Sequence, residues 1–220
     1  MLAETRYPGY DVLDKRDTPS WNEKTREVIG HRLATPSEPR FFDRKEWAMV
    51  QALADRIVPQ PRQRDGNGEA IPVAGLLDTK LLENHQDGWR PAELPQQQEA
   101  WRRGLRALDA EAQAAHDAPF AMLGGEQQDA LLRKMESGDL HDPAWEGMPP
   151  KEFWKHHVLR DVVFAYYSHP TAWSEIGWGG PASPRGYVRL QSNMRDPWEA
   201  VEARPGEDRK PVQEENKRVG

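Results

Sequence analysis

The chain has 220 residues, of which 37% are hydrophobic and 30% are charged, so it is long enough for a domain with a core but more polar than an ordinary compact enzyme. Acidic residues outnumber basic ones by 36 to 30, and the net charge of -6 argues against binding to nucleic-acid phosphates. The absence of cysteine excludes disulfides, thiolate-held iron–sulfur clusters, cysteine nucleophiles and covalent haem.

Residues 1–40 are polar, are interrupted by prolines and are predicted to form an extended N-terminal arm. A short helix is predicted from a cap at Ser20, with Glu23 at the capping-box position, to Leu33. The apolar side chains of the arm are too sparse for a core, so we expect them to lie along another surface. They are Tyr7, Tyr10, Val12, Leu13, Trp21, Val28 and Ile29.

Residues 41–200 are predicted to form a helical domain, because apolar side chains recur there every three or four positions. The five predicted helices span about residues 43–58, 73–84, 95–116, 125–136 and 149–168. Asp43 and Glu46 form a capping-box pattern at the first start, and Gly138 is a typical stop for the fourth helix. Apolar residues surround much of the fifth helix, which predicts that it is central and largely buried. The predicted fold class is all-α, an irregular helical bundle with an N-terminal arm and an irregular C-terminal segment.

Residues 170–200 form an irregular closing segment in which aromatic side chains stand among glycines and prolines. Such a segment is typical of recognition surfaces, and six of its residues are predicted to bind a partner. They are Trp173, Ile176, Trp178, Arg185, Tyr187 and Trp198. In the alternative interpretation, these aromatic residues fold back on the fifth helix and close the core.

Residues 201–220 are highly charged and are predicted to be a disordered tail.

The fifth helix carries the best candidates for chemistry. Glu152 and His156 lie one turn apart, as do His157 and Asp161, and His169 follows the helix. Carboxylate and imidazole at this spacing can hold a metal or share a proton, but the adjacent histidines point about 100° apart. We therefore favour the interpretation that these carboxylate–histidine pairs have a structural role and no catalytic one. A metal-dependent enzyme that uses His156, His157 and His169 is the alternative hypothesis.

Other catalytic patterns are missing from the sequence. The glycine-containing stretch Gly177–Pro181 lacks the lysine and hydroxyl residue of a phosphate-binding loop. No nucleophile elbow, His-Glu-x-x-His or dinucleotide fingerprint is present. We therefore assign no catalytic, cofactor-binding or metal residue, and an interaction protein is favoured over an enzyme.

Two parts of the chain carry a resemblance to a known family. Phe41–Trp47 (FFDRKEW) and Ala52–Pro59 (ALADRIVP) resemble the opening helix of the gluconate 2-dehydrogenase subunit 3 family. Tyr166–Pro170 (YYSHP), Trp173–Pro181 (WSEIGWGGP) and Pro184–Tyr187 (PRGY) resemble its closing segment, which is the more specific match. The resemblance extends over about residues 40–198 and transfers no catalytic residue.

The resemblance implies a partner rather than a reaction. Members of that family accompany FAD-dependent flavoproteins of the glucose-methanol-choline superfamily, which oxidise sugars, sugar acids or alcohols and often pass electrons to a cytochrome c. We therefore expect no cofactor in this chain, FAD in a catalytic partner subunit, and a hetero-oligomer. The charged beginning of the chain has no signal-peptide pattern, so a cytoplasmic location is predicted, with co-export to the periplasm as the alternative. No nucleic-acid partner and no membrane span are expected.

Overall fold

The computed structural model describes residues 5–60, 70–86, 88–187, 192 and 194–219. The regular elements in these residues are helical, and the one isolated β-bridge among them joins Trp21 and Ser183. The predicted all-α fold class is therefore confirmed. The helices of these residues include none with the length and apolar character that a bilayer-spanning segment needs.

The helices up to residue 167 agree closely with the predicted helical segments, and two further helices follow them. In chain order they are α1 (Glu23–Leu33), α2 (Arg44–Ile57), α3 (Val73–Leu82), α4 (Gln97–His116), α5 (Gly125–Ser137), α6 (Pro150–Phe153), α7 (Leu159–Tyr167), α8 (Pro170–Glu175) and α9 (Arg209–Asn216). A π-helical turn, Trp154–Val158, joins α6 to α7, so the predicted fifth helix is continuous but locally widened. Short 3-10 turns occupy Val12–Lys15, Phe120–Met122 and Pro143–Trp145.

The chain is organised as two compact units rather than as an arm, a body and a tail. Among the described residues, the terminal unit comprises those up to residue 34, residues 70 and 71, and those from residue 167 onward, and the helical unit comprises those of 35–60 and 72–166. Each unit has its own hydrophobic core. The helices α2 to α7 belong to the helical unit, apart from the last residue of α7, whereas α1, α8 and α9 belong to the terminal unit.

Local sequence signals fix the ends of the helices in the helical unit. The Asp43 carboxylate accepts a hydrogen bond from the Glu46 backbone N–H at 2.8 Å, and the Glu46 carboxylate accepts one from the Asp43 N–H at 3.0 Å. This is the predicted capping box at the start of α2. Gly138 follows α5 with a φ of 91°, a left-handed conformation that favours glycine.

The core of the helical unit is built around aromatic rings. Phe153 packs edge-to-face against Trp101 at 5.6 Å and against Trp145 at 6.0 Å between ring centroids. A Cβ atom at Gly104 would lie 2.2 Å from the Phe153 ring, so α4 and α6 approach closely at this glycine. Such pairs stabilise a core beyond the area they bury.

A buried carboxylate connects three helices of this unit. Asp161 is 2% exposed and accepts hydrogen bonds from the Lys80 ammonium at 2.8 Å, the Gln97 amide at 2.9 Å and the Trp101 indole N–H at 2.8 Å. A buried charge is tolerated when it is paired and hydrogen-bonded in this way. Asp161 on α7 thereby fixes the position of α3 and α4.

A second buried carboxylate, Asp78 on α3, holds the segment that precedes α2. It accepts hydrogen bonds from the backbone N–H groups of Arg40 at 2.9 Å and of Phe41 and Phe42 at 3.0 Å. The Arg102 guanidinium lies 4.4 Å from the centre of the Phe41 ring. The family-like stretch around Phe41 therefore has a structural role in this unit.

The terminal unit has a core that the sequence analysis did not predict. The apolar residues of the first 34 positions were expected to be too sparse for a core, but several of them pack with residues from the other end of the chain. The buried members are Tyr10, Val12, Trp21, Ile29, Trp173 and Val219. The prediction was wrong because it considered only neighbours in sequence.

Two further local predictions need correction. The side chain of Asn22, not of Ser20, caps α1, since the Asn22 amide oxygen accepts from the Thr25 N–H at 2.9 Å. The Ser20 hydroxyl is instead a partner of the Arg185 guanidinium at 3.1 Å. The closing segment also begins with a helix, α8, where Pro170 occupies the first turn and suits its fixed φ.

The charged C-terminal segment contains helix α9, although it was predicted to be disordered. The buried Asn216 amide donates to the carbonyl oxygens of Pro8 and Val201, both at 2.9 Å, and accepts from the Val201 N–H at 2.7 Å. Val219 is 3% exposed and contributes to the core of the terminal unit. The charged side chains mostly remain in solvent, so composition alone concealed the two buried positions.

Candidate partner-binding site

A surface cavity of about 490 Å³ lies in the terminal unit. Four of the six predicted partner-binding residues line it, namely Trp178, Arg185, Tyr187 and Trp198. Its volume is in the range of pockets that hold small molecules or side chains of a partner. The structure therefore brings most of the predicted residues together at one site.

Glycines allow the loop that presents Trp178 to pack tightly. Gly177 and Gly180 have φ values of 66° and 70°, in the left-handed region. A Cβ atom at Gly177 would lie 2.4 Å from the Tyr7 ring, and one at Gly180 would lie 2.7 Å from Val12. The loop is thus held against the N-terminal segment of the same unit, and Trp178 projects from a supported backbone.

Trp173 is part of the core and not of the exposed surface. It is 3% exposed, and its indole N–H donates to the Tyr167 carbonyl oxygen at 2.6 Å. Its ring meets the Trp178 ring edge-to-face at 4.8 Å between centroids, with an interplanar angle of 89°. The partner-binding prediction for Trp173 therefore does not fit its position, because Trp173 supports Trp178 from within the unit.

The remaining aromatic and aliphatic candidates are accessible. Trp178 is 39% exposed, Ile176 is 48% exposed and Tyr187 is 67% exposed. The Tyr187 hydroxyl donates to the Gly180 carbonyl oxygen at 2.9 Å, which fixes the position of its ring. Ile176 does not line the cavity. Exposed aromatic residues on a fixed backbone can bind with little loss of conformational entropy.

Arg185 contributes a cation to the cavity. Its guanidinium lies 4.3 Å from the centre of the half-buried Trp198 ring, a cation–π arrangement. It also donates to the Ser20 hydroxyl at 3.1 Å and to the Gly186 carbonyl oxygen at 3.2 Å. These contacts fix the guanidinium beside the aromatic lining.

A buried lysine lies beneath the Trp178 loop. The ammonium group of Lys15, which is 0% exposed, donates to the Tyr10 hydroxyl at 3.1 Å, to the Gly179 carbonyl oxygen at 3.3 Å and to the Trp198 carbonyl oxygen. Burial, together with the nearby Arg185 charge, lowers the pKa of Lys15 to about 8. Lys15 therefore holds the Trp178 loop from within the unit, and the cavity lining itself carries both cations and carboxylates: Arg185, Arg195, Asp196 and Glu199.

The histidines of α6 and α7 form two separate pairs. His156 Nε2 lies 3.2 Å from a Glu152 carboxylate oxygen, and His157 Nδ1 lies 3.9 Å from one of Asp161. His156 is partly exposed and His157 is buried, as expected for neighbours on different sides of a helix. The pairs fit the structural interpretation.

His169 belongs to the terminal unit and has a local role. Its Nδ1 atom accepts a hydrogen bond from the Thr171 backbone N–H at 3.3 Å and so caps α8. Across the described parts of the chain, no group of three or more histidine, cysteine, aspartate and glutamate side chains is arranged to hold a metal ion. The alternative of a metal-dependent enzyme therefore gains no support from these residues.

The sequence analysis missed an exposed apolar surface in the helical unit. We call it the 155–164 face, and it is lined by Lys155, His156, Leu159, Arg160, Val163 and Phe164. Leu159 is 37% exposed and Phe164 is 64% exposed. The prediction that this helix is largely buried was therefore wrong for one of its sides. The sequence contained a signal for this surface. Apolar residues occur around much of the helix, whereas a helix that packs against a core on one side needs them only on that side.

Exposed aromatic residues beside a cavity are frequent at sites that contact ligands or other proteins. The family model for gluconate 2-dehydrogenase subunit 3 matches residues 44–180, more than half of the chain. The chain belongs to this family, which confirms the resemblance seen in the sequence. The family is named for an accessory subunit of a dehydrogenase complex.

The chain was also compared with individual curated proteins and with solved structures. No curated protein and no solved structure matches the chain. The family match covers Trp173, Ile176 and Trp178, whereas Arg185, Tyr187 and Trp198 lie beyond its last residue. The candidate site therefore combines a part shared with the family and a part outside the match.

Proposed function

We propose that the chain is a non-catalytic accessory subunit that binds and stabilises an FAD-dependent dehydrogenase of the glucose-methanol-choline superfamily. The observation that carries this proposal is the family match over residues 44–180. The partner would oxidise a sugar, a sugar acid or a related alcohol and would hold the FAD. In this proposal the chain itself binds no cofactor, and a cytochrome c is a further partner of the assembled complex.

The geometry of the terminal unit supports a binding role. Trp178 and Tyr187 are exposed beside a cavity, and their backbone or hydroxyl groups are fixed by hydrogen bonds within the unit. A preorganised aromatic surface of this kind loses little entropy when it binds. We propose that Ile176, Trp178, Arg185, Tyr187 and Trp198 contact the catalytic subunit. The proposed location of the complex is cytoplasmic, with co-export to the periplasm as the second candidate.

Co-purification tests the proposal. An affinity-tagged chain expressed in its native host is expected to retain a flavoprotein that contains FAD and oxidises a sugar, sugar acid or alcohol with an artificial acceptor. Recovery of the chain without any flavin-containing dehydrogenase, under conditions that preserve weak complexes, would contradict the proposal.

A matched pair of variants then tests the site. Trp178→Ala is expected to weaken binding to the purified flavoprotein by roughly thirtyfold or more, the loss typical of a hot-spot residue. Met122→Ala serves as the control, because Met122 is 79% exposed and is not among the residues that line the cavity. Equal binding by the two variants would remove Trp178 from the interface.

A further inference from the structure

The 155–164 face of the helical unit has the composition of a docking surface. Leu159, Val163 and Phe164 form its apolar part, and they lie beside a shallow depression of about 550 Å³. The opposite side of the same helical segment is fully buried, since Phe153, Val158 and Val162 are each 0% exposed. The segment therefore has two apolar sides, of which the core uses one.

Trp89 extends this surface beyond the helix. Its side chain is 66% exposed, and its ring lies 5.5 Å from the His156 ring between centroids, in an edge-to-face arrangement. The helical unit therefore exposes two large aromatic side chains, Phe164 on the face and Trp89 beside His156, and exposed apolar patches often mark interaction sites. Tryptophan is also among the residues that contribute most to protein interfaces.

The π-helical turn Trp154–Val158 contributes to the shape of the face. It inserts extra backbone between α6 and α7, and such turns are frequent at functional positions. Lys155 and His156 of the turn share one side with the apolar residues of α7. The turn therefore adds a polar end to an apolar helix face.

Cations border the apolar part of the face. Lys155 is exposed, and the Arg160 guanidinium lies 5.5 Å from the centre of the Phe164 ring. Glu152 lies near one end, where it pairs with His156. Through a two-fold contact, a second copy of the chain would present the same set of charges, in which Lys155 and Arg160 outnumber Glu152, and would therefore complement the cations poorly. Carboxylates on a different protein would complement them.

The family match includes the whole face. Residues 44–180 contain Trp89, the π-helical turn and α7, whereas half of the predicted partner-binding residues lie beyond residue 180. A contact that the family members share has to be made by the part of the chain that they share. The 155–164 face satisfies this condition.

We propose that the 155–164 face is a docking surface for the flavoprotein catalytic subunit, and that it fits an apolar ridge flanked by carboxylates. This inference rests on the proposed function and adds a surface in the helical unit to the site in the terminal unit. The apolar residues would supply most of the affinity, and the cations would select the partner and its orientation.

Titration of the purified FAD-containing catalytic subunit with variants of the full chain tests the proposal. Phe164→Glu is expected to weaken binding by roughly thirtyfold or more, because a carboxylate would face the apolar ridge. Met122→Glu adds the same charge at a position that is 79% exposed in the same unit, and it is expected to change binding less than about threefold. Circular dichroism and thermal unfolding of each variant verify that it is folded.

A second variant addresses the cationic border without changing an apolar residue. Lys155→Glu is expected to weaken binding by about tenfold at low salt and by less at high salt, whereas Lys134→Glu, at an exposed position of α5, should have little effect. Normal binding by both Phe164→Glu and Lys155→Glu would overturn the assignment of this face while leaving the accessory-subunit proposal intact.

Two other outcomes are also decisive. No binding by the unmodified chain would overturn the accessory-subunit proposal and this inference with it. Sedimentation that shows a dimer of the unmodified chain, converted to a monomer by Phe164→Glu, would assign the face to a second copy and would overturn the proposed partner.

Discussion

Buried charged side chains fix the geometry of both units at the scale of single residues. Lys15 connects the N-terminal segment with the Trp178 loop and with the backbone at Trp198, since its ammonium group donates to carbonyl oxygens of both. Asp161 performs the corresponding role in the helical unit, where three side chains from α3 and α4 donate to it. Neither residue is available to a ligand, so both are structural.

The pKa of Lys15 leads to a prediction about the pH dependence of stability. Burial lowers this pKa to about 8 from the ordinary lysine value of 10.5, so between these pH values the unfolded chain binds more protons than the folded chain. The free energy of unfolding should therefore rise as pH increases from 8 to 9.5, by on the order of 1 kcal/mol. Tyr10, whose pKa is raised by burial, titrates above this window.

Urea unfolding of the chain and of Lys15→Met across this pH range measures the effect. The substituted chain lacks the titrating ammonium group and should show a smaller rise. An identical pH dependence in the two proteins would contradict the assigned pKa.

Asp161 allows a second prediction. Asp161→Asn removes the charge and replaces one acceptor by a donor, so that one of the three groups that donate to Asp161 would face an amide NH2 group instead of a carboxylate oxygen. We expect a loss of about 3 kcal/mol in the free energy of unfolding. Asp129→Asn is the control, because its ion pair with Arg56 is exposed to solvent, and it should have a much smaller effect. Similar losses in urea unfolding would argue against the structural role of Asp161.

At the scale of elements, α9 shows how a charged segment can be ordered by few contacts. Deletion of residues 204–220 removes the Asn216 hydrogen bonds and the buried Val219 side chain. We expect the Tm of the chain to fall by roughly 5 °C or more. Asn216→Ala should account for part of this decrease, whereas Glu214→Ala, at an exposed position of the same helix, should leave the Tm nearly unchanged. An unchanged Tm after the deletion would show that α9 is not bound to the unit.

The helices of the helical unit were predictable because their signals are local. The capping box of α2, the stop at Gly138 and the apolar spacing within each helix involve residues a few positions apart. The terminal unit was not predictable in this way. Its core joins Val12 and Trp21 to Trp173 and Val219. These residues are far apart in sequence, so no local pattern could predict that they pack together.

The candidate site was predicted in part. Aromatic residues among glycines and prolines indicated a recognition segment, and four of these predicted residues line one cavity. Composition could not separate Trp173, which is buried, from Trp178, which is 39% exposed, because both belong to the same motif. The 155–164 face was missed because its apolar residues were predicted to be buried in the core, whereas they are exposed.

At the scale of the whole molecule, the chain joins a family-like helical unit to a unit built from both of its ends. Residues 44–180 match the family of an accessory subunit, and the exposed aromatic residues lie on both units. The proposed activity of the complex would then reside in the partner.

We expect the purified chain to be colourless and to reduce no artificial acceptor with sugars, sugar acids or alcohols, as absorbance spectroscopy and a dye assay can test. Tightly bound flavin in the isolated chain would contradict this expectation.

The most direct test is sedimentation velocity monitored at the flavin absorbance band. The isolated chain carries no flavin in this account, so the signal reports only the catalytic subunit and its complexes. Addition of the purified chain to the FAD-containing dehydrogenase is expected to move the flavin boundary to a higher sedimentation coefficient, saturating at a fixed stoichiometry. A flavin boundary that stays unchanged at an excess of the chain would contradict the account.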